Sequence, residues 1–208
     1  MTILAPGRMD FAAALALQEN LVAGLLEGRC GETLLLLEHE PVYTIGRTRD
    51  RSSLREGLPH AVHETNRGGQ ATFHGPGQLV GYPILDLSRR GRDLHRYLRF
   101  LEAFLIEFSG AFGVDACGRE ALTGVWVGDR KLASIGVGVK KWITMHGFAI
   151  NVSRGSVEPF SHIVPCGLTG VRMTSLEEES GKPVPFETAL ETAGDMFVER
   201  VAGFVETL

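Results

Sequence analysis

The chain has 208 residues, enough for one sizeable core and short for two. With 44% hydrophobic and 22% charged residues it has the make-up of a folded globular protein, not a disordered one. A net charge of -4 argues against a dedicated nucleic-acid binder, and no apolar run approaches the roughly 18 residues of a membrane span. Met1 to Asp10 lacks the basic start and apolar stretch of a signal peptide, so the expectation is a cytoplasmic protein with no membrane association. Cys30, Cys117 and Cys166 are widely spaced with no C-x-x-C pair, which fits neither a disulfide scaffold nor a cysteine zinc site.

Asp10 to Glu27 reads as the first helix, with Asp10 as N-cap, Gly28 past its end, and Phe11, Leu15, Val22 and Leu25 near one face. Thr33–Glu38 and Val42–Gly46 are short β-branched or apolar runs split by Pro41 and read as strands. Arg47 to Arg55 is a polar, basic loop. Ala61–Thr65 and Gln78–Leu87 are strands on either side of a glycine-rich connection. The clearest period lies in Asp93–Phe112, where Leu94, Tyr97, Leu98, Leu101, Leu105, Phe108 and Phe112 mark a buried helical face. Thr123–Val127 and Leu132–Val139 flank the turn Gly128-Asp129-Arg130, and Ile143–Val152 supplies another strand. Thr174-x-x-Glu177 reads as a capping box, and Phe186, Leu190, Ala193, Phe197, Val201 and Phe204 form a last amphipathic helix. Strands and helices do not alternate strictly. The expectation is an α/β fold, a mixed sheet with flanking helices, in a single domain over residues 1–208.

Glycine is over-represented, 26 in 208 residues against an average near 7%. The densest segment, Arg67-Gly68-Gly69-Gln70-Ala71-Thr72-Phe73-His74-Gly75-Pro76-Gly77-Gln78, can present successive N–H groups to a carboxylate, phosphate or carbonyl oxygen. It is neither a P-loop nor a dinucleotide fingerprint. The alternative is a hairpin with an ordinary glycine-rich turn. Cys166 sits between Pro165 and Gly167, in a turn that can display a side chain. A thiol of ordinary pKa, about 8.5, needs a neighbouring cation or base to react at neutral pH. Lowering it by ~2 units requires roughly 2.7 kcal/mol, within reach of one close ammonium. Cys30 and Cys117 read as small buried hydrophobes. Lys131 is suggestive because it opens the apolar run Leu132–Gly136, although a solvated surface lysine is its alternative; Lys140 and Lys141 read as surface residues. The histidines offer no compact metal cluster. His60 and His63 would point to opposite faces of an extended segment, and His39, His95, His146 and His162 read as structural. The expected metal content is none.

From Arg67 to Pro83 the sequence resembles the defining motif of the lipoyl(octanoyl) transferases, also called lipoate-protein ligase B. Further segments match that family in order: Glu38–Arg47, Lys131–Gly136, His146–Val152, and Pro165-Cys166-Gly167-Leu168 followed by Thr174-Ser175-Leu176. Phe73 stands where the family often has Tyr, and Thr169–Met173 is less typical. The resemblance implies the biotin/lipoate protein ligase-like fold and transfer of an octanoyl group from octanoyl-acyl carrier protein to a lysine of a lipoyl domain. Acceptors would be the lipoyl domains of 2-oxoacid dehydrogenases and the glycine cleavage H protein. By motif position Cys166 would be the nucleophile, through a thioester acyl-enzyme, and Lys131 its activating partner. Substrate contacts would fall on Arg67, Gly68, Gly69, Gln70, Ala71, Thr72, Phe73 and His74, on Ser134, Ile135 and Gly136, and on Gly147, Phe148 and Ala149. No cofactor is implied, because a thioester donor already carries the activation an amide needs. A monomer is expected. The protein partners tend to be acidic, so docking needs a local basic patch: Arg47, Arg49, Arg51 and Arg55, or Arg89, Arg90, Arg92, Arg96 and Arg99. Two rivals are an ATP-dependent ligase of the same fold, which needs no cysteine, and a non-catalytic binder of acyl chains or lipoyl domains.

Overall fold

In the computed structural model, which describes residues 1–164 and 170–204, the Asp10 carboxylate accepts from the Ala12 and Ala13 N–H groups and starts helix α1, Phe11–Leu26. Before it runs a strand that the sequence pattern did not announce, β1 (Thr2–Met9), which pairs in parallel with β2 (Thr33–His39). β1 is almost wholly exposed, carries Pro6 and Gly7, and shifts register between Leu4 and Gly7. It therefore has neither the alternation nor the composition by which a strand is read.

β2 shows why the centre of the main sheet reads as unbroken leucine. Leu34 and Leu36 join the core under two helices, whereas Leu35 and Leu37 face α1 on the other side. Both faces are covered, so both parities must be apolar. The main sheet has the order β1-β2-β6-β10-β9-β8-β7, with β6 Gln78–Ile84, β7 Cys117–Arg119, β8 Leu122–Val127, β9 Arg130–Lys140 and β10 Ile143–Asn151. β11, Arg172–Met173, pairs in parallel with the start of β9. Parallel and antiparallel ladders coexist, so the expected mixed sheet is what forms.

Asp93 caps α2 (Leu94–Ala111) through the Arg96 N–H, and α2 packs on α4 (Phe186–Ala202) over one face of the sheet. Phe100 stacks on Phe204 at 4.3 Å between centroids, and Phe104 meets Phe197 edge-on at 5.0 Å. Burial of each such ring contributes about 2 kcal/mol. Between them α3, Leu176–Ser180, is capped by the Ser175 hydroxyl, which accepts from Glu178 N. The cap is thus one residue later than the expected Thr174; the Thr174 hydroxyl instead donates to the Glu179 carboxylate. No helix of the described residues is long and apolar enough to cross a membrane.

A second sheet, order β4-β3-β5, lies apart: β3 Val42–Ile45, β4 Val62–Glu64 and β5 Thr72–His74. Its own core gathers Tyr43, Ile45, Ala71, Phe73, Phe160, Ile163 and Met173. The glycine-rich segment is therefore not a hairpin turn. β4 and β6 on either side of it belong to different sheets, and the segment carries β5 between them.

Candidate active site

The two sheets meet at a pocket that holds about 490 Å³ of empty space when its open mouth is included. One wall is the segment 67–74. Strand alternation divides β5 and the residue before it: Thr72 and His74 face the pocket, while Ala71 and Phe73 turn into the small core. Gly68 does not line the pocket either. Its N–H donates to Val137 O at 2.9 Å and fastens the loop to β9. Of the expected contact residues Arg67, Gly69, Gln70, Thr72 and His74 remain on this wall. Gly46 explains how the loop closes, since a Cβ there would overlap the Gly69 carbonyl. Arg67 is buried, with Nη2 donating to Thr44 O at 2.9 Å and Thr44 Oγ1 at 2.8 Å, and Nη1 donating to Gly68 O at 3.0 Å.

The opposite wall comes from adjacent strands in register, Ser134, Ile135 and Gly136 of β9 against Ala149, Phe148 and Gly147 of β10. A Cβ on Gly147 would overlap the Gly81 carbonyl, and the Phe148 ring fills the space a side chain at Gly81 would need. Three further lining residues, Phe11, Tyr82 and His146, were not expected. The sequence suggests a structural role for His146, although it directly precedes Gly147, and shows Phe11 only as a core position.

Among the described residues that line the pocket Arg67 carries the only fixed cation, and the histidines in and beside the pocket are pushed toward the neutral form. Burial lowers His39 to about 4, offset in part by its hydrogen bond to Met9 O. Burial and then the Arg67 charge lower His146 to about 4. His74 is pushed well below the ordinary range by burial and by the facing His39. Hydrogen-bond partners set the tautomers. Asn151 Nδ2 donates to Thr174 O at 2.9 Å, so its Oδ1 must accept from Gln78 Nε2, also 2.9 Å. Gln78 Oε1 is left to accept from His74 Nδ1–H at 2.8 Å. His39 Nδ1–H donates to Met9 O, and its Nε2 accepts from the Tyr82 hydroxyl at 2.7 Å. His146 adopts φ 56°, an uncommon left-handed backbone for a non-glycine residue inside a strand. Its backbone N–H donates to Gln18 Oε1, and its Nε2 meets Asn66 Oδ1 at 2.6 Å.

Lys131 is not a surface residue. It is 1% exposed, with Nζ donating to Thr123 O at 3.2 Å and lying 5.2 Å from the Trp126 ring centroid. A register shift between β8 and β9 produces this: Trp126 faces Lys131, but Val125 faces Ala133. The extra residue, Leu132, is a bulge that re-aims the side chains beside it. Cys166 lies outside the described residues. After that segment, Met173 pairs with Lys131 and Thr174 N donates to Lys131 O at 3.0 Å. Cys30 and Cys117 are exposed, against the expectation that they would be buried. Among the described residues no group of three His, Cys, Asp or Glu side chains is arranged to hold a metal ion.

The two arginine clusters differ. Arg90 forks onto Glu32 at 2.5 and 2.8 Å, Arg89 pairs with Asp86, Arg99 pairs with Glu102, and Arg96 lies over Phe204. Arg49 and Arg51 share one carboxylate, Glu64, at 3.3 and 3.2 Å, and both stay largely exposed.

The lipoyl protein ligase A/B catalytic domain family matches residues 10–198. An octanoyltransferase of Geobacter metallireducens is 56% identical over 179 residues, 86% of this chain and 83% of that protein. One of Geobacter sulfurreducens is 54% identical over 184 residues, covering 88% and 77%. Among solved structures, a lipoate-protein ligase A bound with ATP superposes with a TM-score of 0.77 at 13% identity, covering 97% of this chain and 85% of that one. A biotin protein ligase from Aquifex aeolicus does so with a TM-score of 0.63 at 16% identity, covering 98% and 72%. At those identities the likeness is one of fold, and it is the biotin/lipoate ligase-like fold expected from the motifs.

Proposed function

The chain belongs to the lipoyl protein ligase A/B catalytic-domain family, and from that premise we propose that it transfers an octanoyl group from octanoyl-acyl carrier protein to a lysine of a lipoyl domain. The observation that carries this reading is a pocket and a buried lysine on one strand. Ser134, Ile135 and Gly136 line an apolar-walled cavity, and Lys131 is buried three residues earlier on β9. An eight-carbon chain placed there would gain up to roughly 5 kcal/mol at ~0.8 kcal/mol per methylene.

In the proposed mechanism Lys131 takes the proton of the Cys166 thiol. The thiolate attacks the octanoyl carbonyl carbon, forming a new carbon–sulfur bond as the bond to the carrier's sulfur breaks. The departing thiolate takes its proton from Lys131, whose amine is then neutral again. The acceptor lysine, as a neutral amine, attacks the octanoyl-Cys166 thioester. The amide forms, the carbon–sulfur bond breaks, and Lys131 receives the proton the amine gives up. The pair is left as thiolate and ammonium, ready for the next donor. Amide formation from a thioester runs downhill, so the reaction needs neither ATP nor metal. The pocket residues of segments 67–74, 134–136 and 147–149 hold the acyl chain in this reading, and the whole chain acts as one catalytic domain and as a monomer. Lipoyl domains of 2-oxoacid dehydrogenases and the glycine cleavage H protein are the proposed acceptors.

Incubation with octanoyl-acyl carrier protein, without ATP, followed by intact-mass measurement tests this. The expected result is a gain of one octanoyl group on the wild type, none on Cys166→Ala, and discharge when a lipoyl domain is added. Transfer that persists in Cys166→Ala and requires ATP with free octanoate would replace the transferase by a ligase.

A further inference from the structure

The peptide group joining Thr123 to Gly124 has an ionisable side chain at each end. Its carbonyl oxygen accepts from Lys131 Nζ at 3.2 Å, and its N–H donates to Glu102 Oε1 at 3.0 Å. A trans peptide holds C=O and N–H antiparallel in one plane, and no peptide bond among the described residues is cis. The negative end of the peptide dipole therefore faces the lysine and its positive end faces the carboxylate. With Lys131 as ammonium and Glu102 as carboxylate both contacts are charge-assisted, and each polarises the group so as to strengthen the other.

Glu102 is an unusual residue to find where it is. It sits on α2, away from the pocket, and is 4% exposed. A carboxylate at that depth is costly unless its oxygens are satisfied. Oε2 accepts from Arg99 Nη1 at 2.5 Å, and Oε1 is satisfied by the Gly124 N–H. Position 124 is built for this contact. Gly124 has φ 128°, and a Cβ there would sit 2.6 Å from Ala133 O and 2.8 Å from Lys131 Cε. Only glycine lets the chain pass so close to the lysine while turning its N–H toward α2.

We propose that Glu102 is a positioning residue for acyl transfer, acting on Lys131 through the Thr123–Gly124 peptide that lies between them. The carboxylate fixes the plane of that peptide, and the peptide carbonyl fixes where the Lys131 nitrogen stands. This rests on the reading of Lys131 as the proton partner of Cys166, and its test keeps the two apart.

The measurement is the pH profile of Cys166 alkylation by iodoacetamide, paired with kcat and KM for octanoyl transfer from octanoyl-acyl carrier protein. Lys131→Ala is the reference variant and should move the alkylation profile to higher pH. Glu102→Leu should move it the same way, with kcat reduced about tenfold and KM for the donor within about twofold of wild type. Glu102→Gln keeps an acceptor atom without the charge, so both readouts should fall between Glu102→Leu and wild type. It carries the test alone if the leucine variant does not fold. A Glu102 variant that keeps the wild-type alkylation profile while Lys131→Ala shifts it overturns the inference, whether or not its rate falls. A Lys131→Ala profile equal to wild type overturns the reading of Lys131 itself.

Discussion

Lowering the pH from 7.5 to 5 should destabilise the fold by about 4 kcal/mol through two buried histidines alone, one lining the pocket and one beside it. His39 and His146 are buried and held near 4 in the folded protein, whereas an unfolded histidine titrates near 6.5. Above about 6.5 both states are neutral and the difference contributes nothing. Between about 6.5 and 4 the unfolded chain binds protons that the folded protein refuses, so stability falls as the pH falls. At pH 5 that difference comes to about 2 kcal/mol for each residue. His74, shifted the same way, adds to it. The carboxylates with resolved shifts, Asp50, Asp129 and Glu179, are all moved downward, by their hydrogen bonds to Ser52, Arg172 and Arg130. Urea unfolding at pH 7.5, 6 and 5 measures the effect. With a slope of about 2 kcal/mol per molar, the midpoint should fall by about 2 M. His39→Gln, which removes one of the groups, should reduce that fall by about 1 M. A midpoint that moves by less than about 0.5 M in the wild type would refute the assignment of neutral, desolvated histidines in and beside the pocket.

Three other perturbations probe the site from different sides. Gly46→Ala puts a methyl group into the Gly69 carbonyl, so it should displace the 67–70 wall and raise KM for the octanoyl donor at least fivefold; an unchanged KM would mean the loop does not shape the pocket. Asn151→Leu leaves Thr174 O and one Gln78 N–H without their bonds and should cost about 3 kcal/mol, read from the urea midpoint. Charge reversal of Arg49 and Arg51 to Glu should raise KM for the carrier protein at low salt and lose that effect at high salt, because both side chains are exposed. A KM unaffected at low salt would remove this loop as the carrier's docking surface.

What could be read from the sequence was set by local chemistry. Asp10 caps the helix it is expected to cap, and the Gly128-Asp129 turn joins β8 to β9. β1 escaped because its stability comes from pairing with β2, not from any pattern of its own. β5 escaped because three residues set among glycines carry too little period to register, and its partner β3 lies about 30 positions away in the chain. The pocket motif delivered most of its wall, but Ala71 and Phe73 turn out of it, since neighbouring residues of a strand cannot share a face. From the sequence, Lys131 fits a solvated lysine as readily as a placed one. What settles its place is a one-residue mismatch between β8 and β9, which no composition announces. Tyr82 and Phe11 reach the pocket from elements that the apolar pattern assigned simply to the core.

β5 belongs to two neighbourhoods at once, and this separates two kinds of change. Even-numbered positions 72 and 74 meet whatever occupies the pocket, and odd-numbered positions 71 and 73 meet Tyr43 and Phe160 of the small core. The two even positions are not equivalent: the Thr72 hydroxyl has no hydrogen-bond partner among the described residues, whereas His74 also holds Gln78. Changes at 72 can therefore retune what the pocket accepts at little cost to the fold, changes at 74 touch ligand and stability together, and changes at 71 and 73 fall on the small core.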